Sequence, residues 1–354
     1  MFHGDLLPTP DALPVGWGWF QALLSLTFLL HLVLMNLMLG GTVIAFFNSL
    51  RGGQENLKTA SYASKKLPFA VALAVNAGVA PLLFLQVLYG QFVYTSSILM
   101  AASWFSVFGL IIIAYYGMYL FQYKFESWGS VRNILAGSAA LIMLFIGFLF
   151  TNNWTLAMSP EKWGAYFGSP GGTLWNFDEP TLWPRYLHMV IGAMAVGGLG
   201  LAGFGQFRQN SGHNSEHMIA NGLTWFKFAT PVQIGIGTWW LIALPKEIMK
   251  LFMGGNMVAT AAFGLGFLLA IVSLVLGFKK LVWPTVWVTL ATMAAMVIMR
   301  EYVRYGNLRE YFTPDQLTVN TQYSSLILFL VCAVVGVAAV WYMLKLAANA
   351  GKEV

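Results

Sequence analysis

Polar and apolar positions along the chain do not alternate with the period of a strand, and they do not form the one-sided stripe of a soluble helix. They separate instead into long runs that are oily on every face, divided by short polar breaks. Runs of about 20 residues or more at 1.5 Å per residue are long enough to cross a bilayer. Nine such runs lie near 17–48, 67–97, 102–123, 132–153, 181–206, 224–245, 256–278, 281–301 and 323–347. They predict an all-α fold, a polytopic integral membrane bundle of about nine transmembrane helices. No break reaches the length of a domain linker and no internal repeat stands out, so residues 1–354 are expected to form a single transmembrane unit. The longest extramembrane piece, about 153–181 ("NWTLAMSPEKWGAYFGSPGGTLWNFDEP"), is rich in Trp, Gly and Pro and predicts a structured lid or docking loop.

Composition agrees with a lipid-solvated chain. Hydrophobic residues make up 58% of the 354, charged residues only 9%, and mean hydropathy is +0.69, where a soluble domain carries about 25% charged residues. The breaks at 49–66, 124–132, 207–227 and 279–280, with the C-terminal tail, hold twelve of the nineteen Lys and Arg. Cytoplasmic loops are enriched in these residues, so the expected orientation is N-terminus outside and C-terminus inside. The net charge of +6 is scattered through those loops, which excludes nucleic acid as a partner; membrane lipid is the expected one. Cys332 is the single cysteine, so no disulfide framework, CxxC or CxxCH motif exists. The start, "MFHGDLLPTPDALPVGWGWF", lacks the basic region of a cleaved signal peptide, and Trp17 and Trp19 read as an interfacial belt.

Candidate chemistry rests on the few polar groups retained in the spans. His31 sits inside "TFLLHLVLMNLMLGG", with nothing else ionisable between Trp19 and Arg51. His188 lies just inside the outer end of the fifth span, in "YLHMVIGAMAVGGLG". Small residues follow both: Gly40 and Gly41, then Gly192, Ala193, Ala195, Gly197, Gly198 and Gly200. They permit close helix approach, or a flat macrocycle laid against the helix. Two readings of the imidazoles stay open, hydrogen bonding across the bundle and axial ligation of haem iron. Glu301, near the outer end of the eighth span in "VIMREYVRYGNLREYF", is the one carboxylate outside loops and termini. Arg300, Arg304 and Arg309 surround it, and Arg304, one turn on, can pair with Glu301 or with the propionates of a ligand. His213 and His217 share a metal-like i, i+4 spacing in "NSGHNSEHM", yet lack a third ligand and read as a solvated loop. His3 belongs to the N-terminal lead-in.

Several of these patterns, taken in order along nearly the whole chain, resemble subunit I of the cytochrome bd-type quinol oxidases. The resembling segments are "HLVLMNLMLG", "GVAPLLFLQVLYG", "NNWTLAMSP", "YLHMVIGAMAVGG", "GLGFLLA" and "REYVRYGNLREYF…NTQYSS". The resemblance implies a haem-binding transmembrane domain with haem b, one to three copies, and quinone as a second candidate ligand. His31 and Glu301 would be iron ligands in a paired-haem site and His188 an axial ligand of a third haem. Arg304 would be the Arg of the family's Glu-x-x-Arg segment. It also implies a multi-pass protein of the bacterial cytoplasmic (inner) membrane, within a respiratory chain, with other membrane subunits.

The departures from that family shape the functional expectation. Ala262 stands where the family has a haem-ligating Met and Thr260 where it has an Arg, while Met257 lies on a different helix face. A haem at His188 would then be five-coordinate or use a Met on another span. The third span, "WFSVFGLIIIAYYGMYLF", carries none of the family's glutamates, only Tyr115 and Tyr116, and Gln86 replaces a Glu. The quinol loop has shrunk to "PKEIMKLFMGGN". The expectation is therefore a haem b electron-transfer subunit linking the quinone pool to an outer-side redox partner such as a c-type cytochrome. The alternatives are a quinol:oxygen oxidoreductase (terminal oxidase) with divergent proton and quinol sites, and a transporter or structural anchor. A transporter would normally pair its broken helices in matching repeats, and Pro81 and Pro231 have no such repeat.

Overall fold

The computed structural model describes residues 7–168 and 170–350; His3 lies outside them. Nine long helices and one short one follow in order: α1 (Trp17–Arg51), α2 (Gln54–Leu99), α3 (Ala101–Tyr123), α4 (Val131–Ala157), α5 (Leu182–Asn210), α6 (Glu216–Ala243), α7 (Lys246–Lys250), α8 (Met257–Phe278), α9 (Val282–Leu308) and α10 (Tyr323–Ala350). No named strand occurs among the described residues; a single parallel bridge joins Leu13 to Val319. Eight of the long helices are apolar enough to cross a membrane. The exception, α6, matches a run expected to span but carries Glu216, His217, Asn221, Lys227, Pro231 and Gln233, which lower its hydropathy. The chain is a multi-pass helical membrane protein.

Several consecutive helices, α1–α2, α3–α4, α5–α6 and α8–α9, pack as antiparallel pairs, because short breaks return the chain at once. The α1–α2 return is Gly52–Gly53, where φ of 68° and 78° requires glycine. α2 starts earlier than its apolar run: "QENLKTASYASKK" is already helical, adding about three turns beyond the predicted start. Pro68 and Pro81 lie within α2, and its backbone leaves helical geometry at Tyr89 (φ −136°, ψ 28°), next to Gly90.

α1 is the central helix, touching α2, α4, α5 and α9. Its approach to α5 is backbone on backbone. A Cβ on Gly197 would come 2.6 Å from the Gly40 carbonyl carbon, and one on Gly40 would collide with the Ala193 carbonyl oxygen. Gly198 and Gly222 do the same between α5 and α6. At Gly40, Gly197, Gly198 and Gly222 the missing side chain permits close helix packing. α10 lies apart, with no residue of Tyr323–Asn349 buried.

The end predicted to face outward, called outer below, carries the start of α1 and α5 and the end of α4, α6 and α9. Residues 158–168 and 170–181 cover it as a folded cap. Its 3₁₀ helix (Pro160–Gly168) is pinned by the Trp163 indole, which donates to the Leu156 carbonyl at 2.9 Å. Lys162 donates to Asn176 at 2.8 Å and pairs with Asp178 and Glu179. Trp175 and Phe177 stack with ring centres 5.2 Å apart.

Candidate functional site: a buried arginine–histidine cluster

The outer half of the bundle brings four of the sequence candidates into one polar region. On α9, Arg304 is the one charged residue that is wholly buried among the described residues. It pairs with Glu301 one turn away, and Gln21 of α1 ties both together. The Gln21 amide donates to Glu301 Oε2 at 2.8 Å, and Arg304 Nη2 reaches Gln21 Oε1 at 3.4 Å. Glu301 Oε1 forms an ion pair with Arg300 at 3.6 Å, too far for a hydrogen bond, and is buried without a hydrogen-bond partner.

Aromatic faces shelter the cations. The Arg304 guanidinium sits 4.3 Å from the Tyr89 ring centre, and Arg300 lies between Phe28 (4.0 Å) and Trp154 (4.9 Å). Even so, Arg300 Nη1 and Arg304 Nε and Nη1 are buried with no acceptor.

His31 faces this group from α1. Its Nδ1 lies 3.0 Å from the Ala74 carbonyl oxygen of α2. A carbonyl only accepts, so Nδ1 carries the proton and Nε2 keeps its lone pair. That tautomer is the one a metal-binding imidazole needs. Gly78, one turn beyond Ala74, lies against the ring: a Cβ there would be 2.8 Å from Cε1.

His188 stands on α5 against α6. Its Nδ1 is buried beside the Gln233 carbonyl and Gly237 without completing a hydrogen bond. Its ring lies 5.6 Å from that of Trp240, and Arg185, one turn earlier on α5, places its guanidinium 5.1 Å from the same indole. Arg185 Nε, Trp240 Nε1 and Gln233 Oε1 also lack partners. Arg300 lies within electrostatic reach of both His31 and Arg185, which links the two halves. Glu301 thus answers Arg304 and Arg300, while Arg185 has only Glu179 within electrostatic reach and no ion pair within 4 Å among the described residues.

Sequence reasoning missed Arg185, Gln21, Gln233 and Trp240. Arg185 had a readable signal, one helical turn before His188 on the same face. The other three did not, since nothing local marks which Gln or Trp of a membrane protein will meet a cation.

No protein-family model matches the chain, and no curated protein matches it in sequence. Among solved structures it is similar to the bd oxidase from Geobacillus thermodenitrificans, with a TM-score of 0.71 over 96% of this chain and 99% of that one, at 11% identity. The chain has a bd oxidase-like fold.

Within that bd oxidase-like fold, the positions that depart from the family pattern have their own roles. Thr260 staples the turn after α7: the Gly254 amide donates to its hydroxyl at 3.0 Å, and the hydroxyl reaches the Leu251 carbonyl at 3.2 Å. Ala262 is buried on α8, and Met257 is 88% exposed, out of reach of the interior. α3 buries only Ala114, Met118 and Phe121, while the Tyr115 and Tyr119 hydroxyls meet each other at 3.3 Å. At the inner end His217 belongs to the first turn of α6, rather than to a loop, and meets the Thr59 hydroxyl at 3.3 Å.

Proposed function

We propose that this protein is a haem-binding electron-transfer subunit built on the bd oxidase-like fold. The observation that carries the reading is the surplus of buried cation. Arg185, Arg300 and Arg304 gather in the outer half of the bundle; Glu301 pairs with Arg304 and Arg300, Arg185 forms no ion pair within 4 Å among the described residues, and unsatisfied N–H groups remain beside two imidazoles. Burying unpaired charge costs several kcal/mol per ion, so the arrangement calls for an anionic ligand. A haem suits it: its two carboxylates would answer the arginines, and its iron would accept imidazole nitrogen or carboxylate oxygen.

In this reading His31 offers Nε2 to iron, its ring fixed by the proton that Nδ1 donates to Ala74. His188 offers the second imidazole, and Glu301 offers Oε1 while Oε2 stays tied to Gln21 and Arg304. Arg185, Arg300 and Arg304 hold the propionates, and Phe28, Tyr89, Trp154 and Trp240 keep water away. When bound, haem iron supplies a one-electron centre whose potential is tuned by ligands, burial and nearby charge. The whole chain acts as one haem-binding transmembrane domain capped at 158–181, in a bacterial inner membrane with its N-terminus outside. It passes electrons between quinone and an outer redox protein such as a c-type cytochrome, beside a further membrane subunit.

Electron transfer is preferred over oxygen reduction because α3 offers no carboxylate to carry protons inward. The terminal-oxidase reading requires oxygen uptake by the purified protein when reduced quinone is supplied. A pyridine-haemochrome assay with reduced-minus-oxidised spectra tests haem binding. The expected result is a b-type signal that falls in His31→Ala and in His188→Ala. A colourless protein, or unchanged haem in both variants, overturns the proposal.

A further inference from the structure

The inner end of the bundle holds a cavity that the outer cluster does not explain. It is a half-open cleft of about 510 Å³, bordered by four segments: the polar start of α2, the α3–α4 turn with the start of α4, the end of α5 and the start of α6. Lys58, Lys65, Arg132 and Arg208 line it, against the carboxylates of Glu55 and Glu126. Glu55 is committed to Lys58 at 2.8 Å. No ion pair within 4 Å engages Lys65, Arg132 or Arg208 among the described residues.

The two guanidinium groups are braced rather than free. Arg132 lies 4.7 Å from the Phe125 ring centre and donates to the Phe125 carbonyl at 3.0 Å; Arg208 lies 4.7 Å from the Tyr62 ring centre. Each keeps a buried Nε–H with no acceptor. Ser215, the N-cap residue of α6, lines the same cavity; it is 5% exposed, and its Oγ has no partner and caps nothing. The amides of the first turn of α6 add the partial positive charge of a helix N-terminus.

We propose that this cavity binds a phosphate group, supplied either by the headgroup of an anionic phospholipid or by a soluble phosphate compound. Cations from three separate elements, α2, α4 and α5, approach one space from different directions. A tetrahedral phosphate has an oxygen for each, whereas a planar carboxylate satisfies one guanidinium fork. Tyr62, Phe125, Leu57 and Met218 give the cavity an apolar wall, against which the stem of a lipid can lie. The inference is independent of the haem reading, since none of these residues belongs to the outer cluster.

The test uses the full chain in zwitterionic micelles. Inorganic phosphate is titrated against chloride at matched ionic strength by thermal shift, and phosphatidic acid against phosphatidylcholine by native mass spectrometry. Stabilisation by phosphate identifies a soluble ligand; selective retention of phosphatidic acid alone identifies a lipid headgroup. Either supports the site, provided that Arg132→Gln with Arg208→Gln weakens binding by about tenfold or more. Lys279→Gln with Lys280→Gln, at the same end outside the cavity, should leave binding unchanged. Should the double arginine variant fail to fold, Lys65→Gln, on an exposed side chain, carries the test with a severalfold loss. The proposal is overturned if neither probe exceeds its reference, or if the Lys279/Lys280 variant loses as much as the cavity variants.

Discussion

Gly78 and His31 are in direct contact across the α1–α2 interface, the glycine lying against the imidazole whose Nδ1 is bonded to Ala74 one turn earlier. No side chain can be added at Gly78 without moving the ring. Gly78→Ala is therefore expected to destabilise the protein by about 1–3 kcal/mol, as overpacking does, and to reduce haem content if His31 is a ligand. Gly109→Ala is the control, since a Cβ there meets nothing within 4 Å. Thermal unfolding in detergent and the haem absorbance ratio give the two readouts.

Glu301 and Arg304 are expected to be energetically coupled. Glu301→Gln leaves buried guanidinium groups unanswered and should cost about 3–5 kcal/mol. Arg304→Met should cost less in the Glu301→Gln background than in the wild type, because the stranded charge is then removed. A double-mutant cycle in apparent stability checks this; strict additivity would show that the pair is not a unit.

Arg185 should tune the proposed haem without ligating it. Removing a cation near iron favours the oxidised state, so Arg185→Gln should lower a midpoint potential by an amount on the order of tens of millivolts. Redox titration followed at the haem band measures it. An unchanged potential with full haem occupancy would place Arg185 away from the cofactor.

The α1–α5 crossing should be intolerant of any side chain at Gly197. Gly197→Val pushes carbon into the Gly40 backbone and should abolish accumulation of folded protein. Gly203→Ala, where a Cβ meets nothing within 4 Å, should be neutral or stabilising by roughly 0.5–1 kcal/mol. Monodispersity on size exclusion separates the two.

Tyr311, beyond the end of α9, gives an alkaline prediction. Burial and the neighbouring Glu161 carboxylate, to which its hydroxyl donates at 3.2 Å, raise the phenol to about 12. The folded value exceeds the unfolded one, so this contact stabilises the cap fully below the unfolded phenol's pKa near 10 and is lost as pH rises through about 12. Ultraviolet difference titration of wild type against Tyr311→Phe should show one phenol ionising late.

Much of this was legible in the chain. Nine oily runs marked nine long helices, because a segment solvated by lipid must satisfy its own backbone hydrogen bonds and helix is the local way to do so. The same logic made His31, His188 and Glu301 conspicuous, since ionisable groups in such runs are too costly to be incidental. Legibility failed where polarity and helix coincide. The start of α2 reads as loop by composition, and α6 reads as a span yet is too polar to qualify by composition alone.

What the sequence determined by itself was the class of solvent, the helices and the identity of the unusual residues, all of which follow from short stretches of side chains. Only the tertiary structure decided which of them meet. Arg185 joins Trp240, Gln21 bridges Glu301 and Arg304, and Gly40 abuts Gly197 across intervals of 55, 280 and 157 residues. Such pairings depend on helix rotation and crossing, which are set by close packing of whole faces. No local run of residues encodes that geometry.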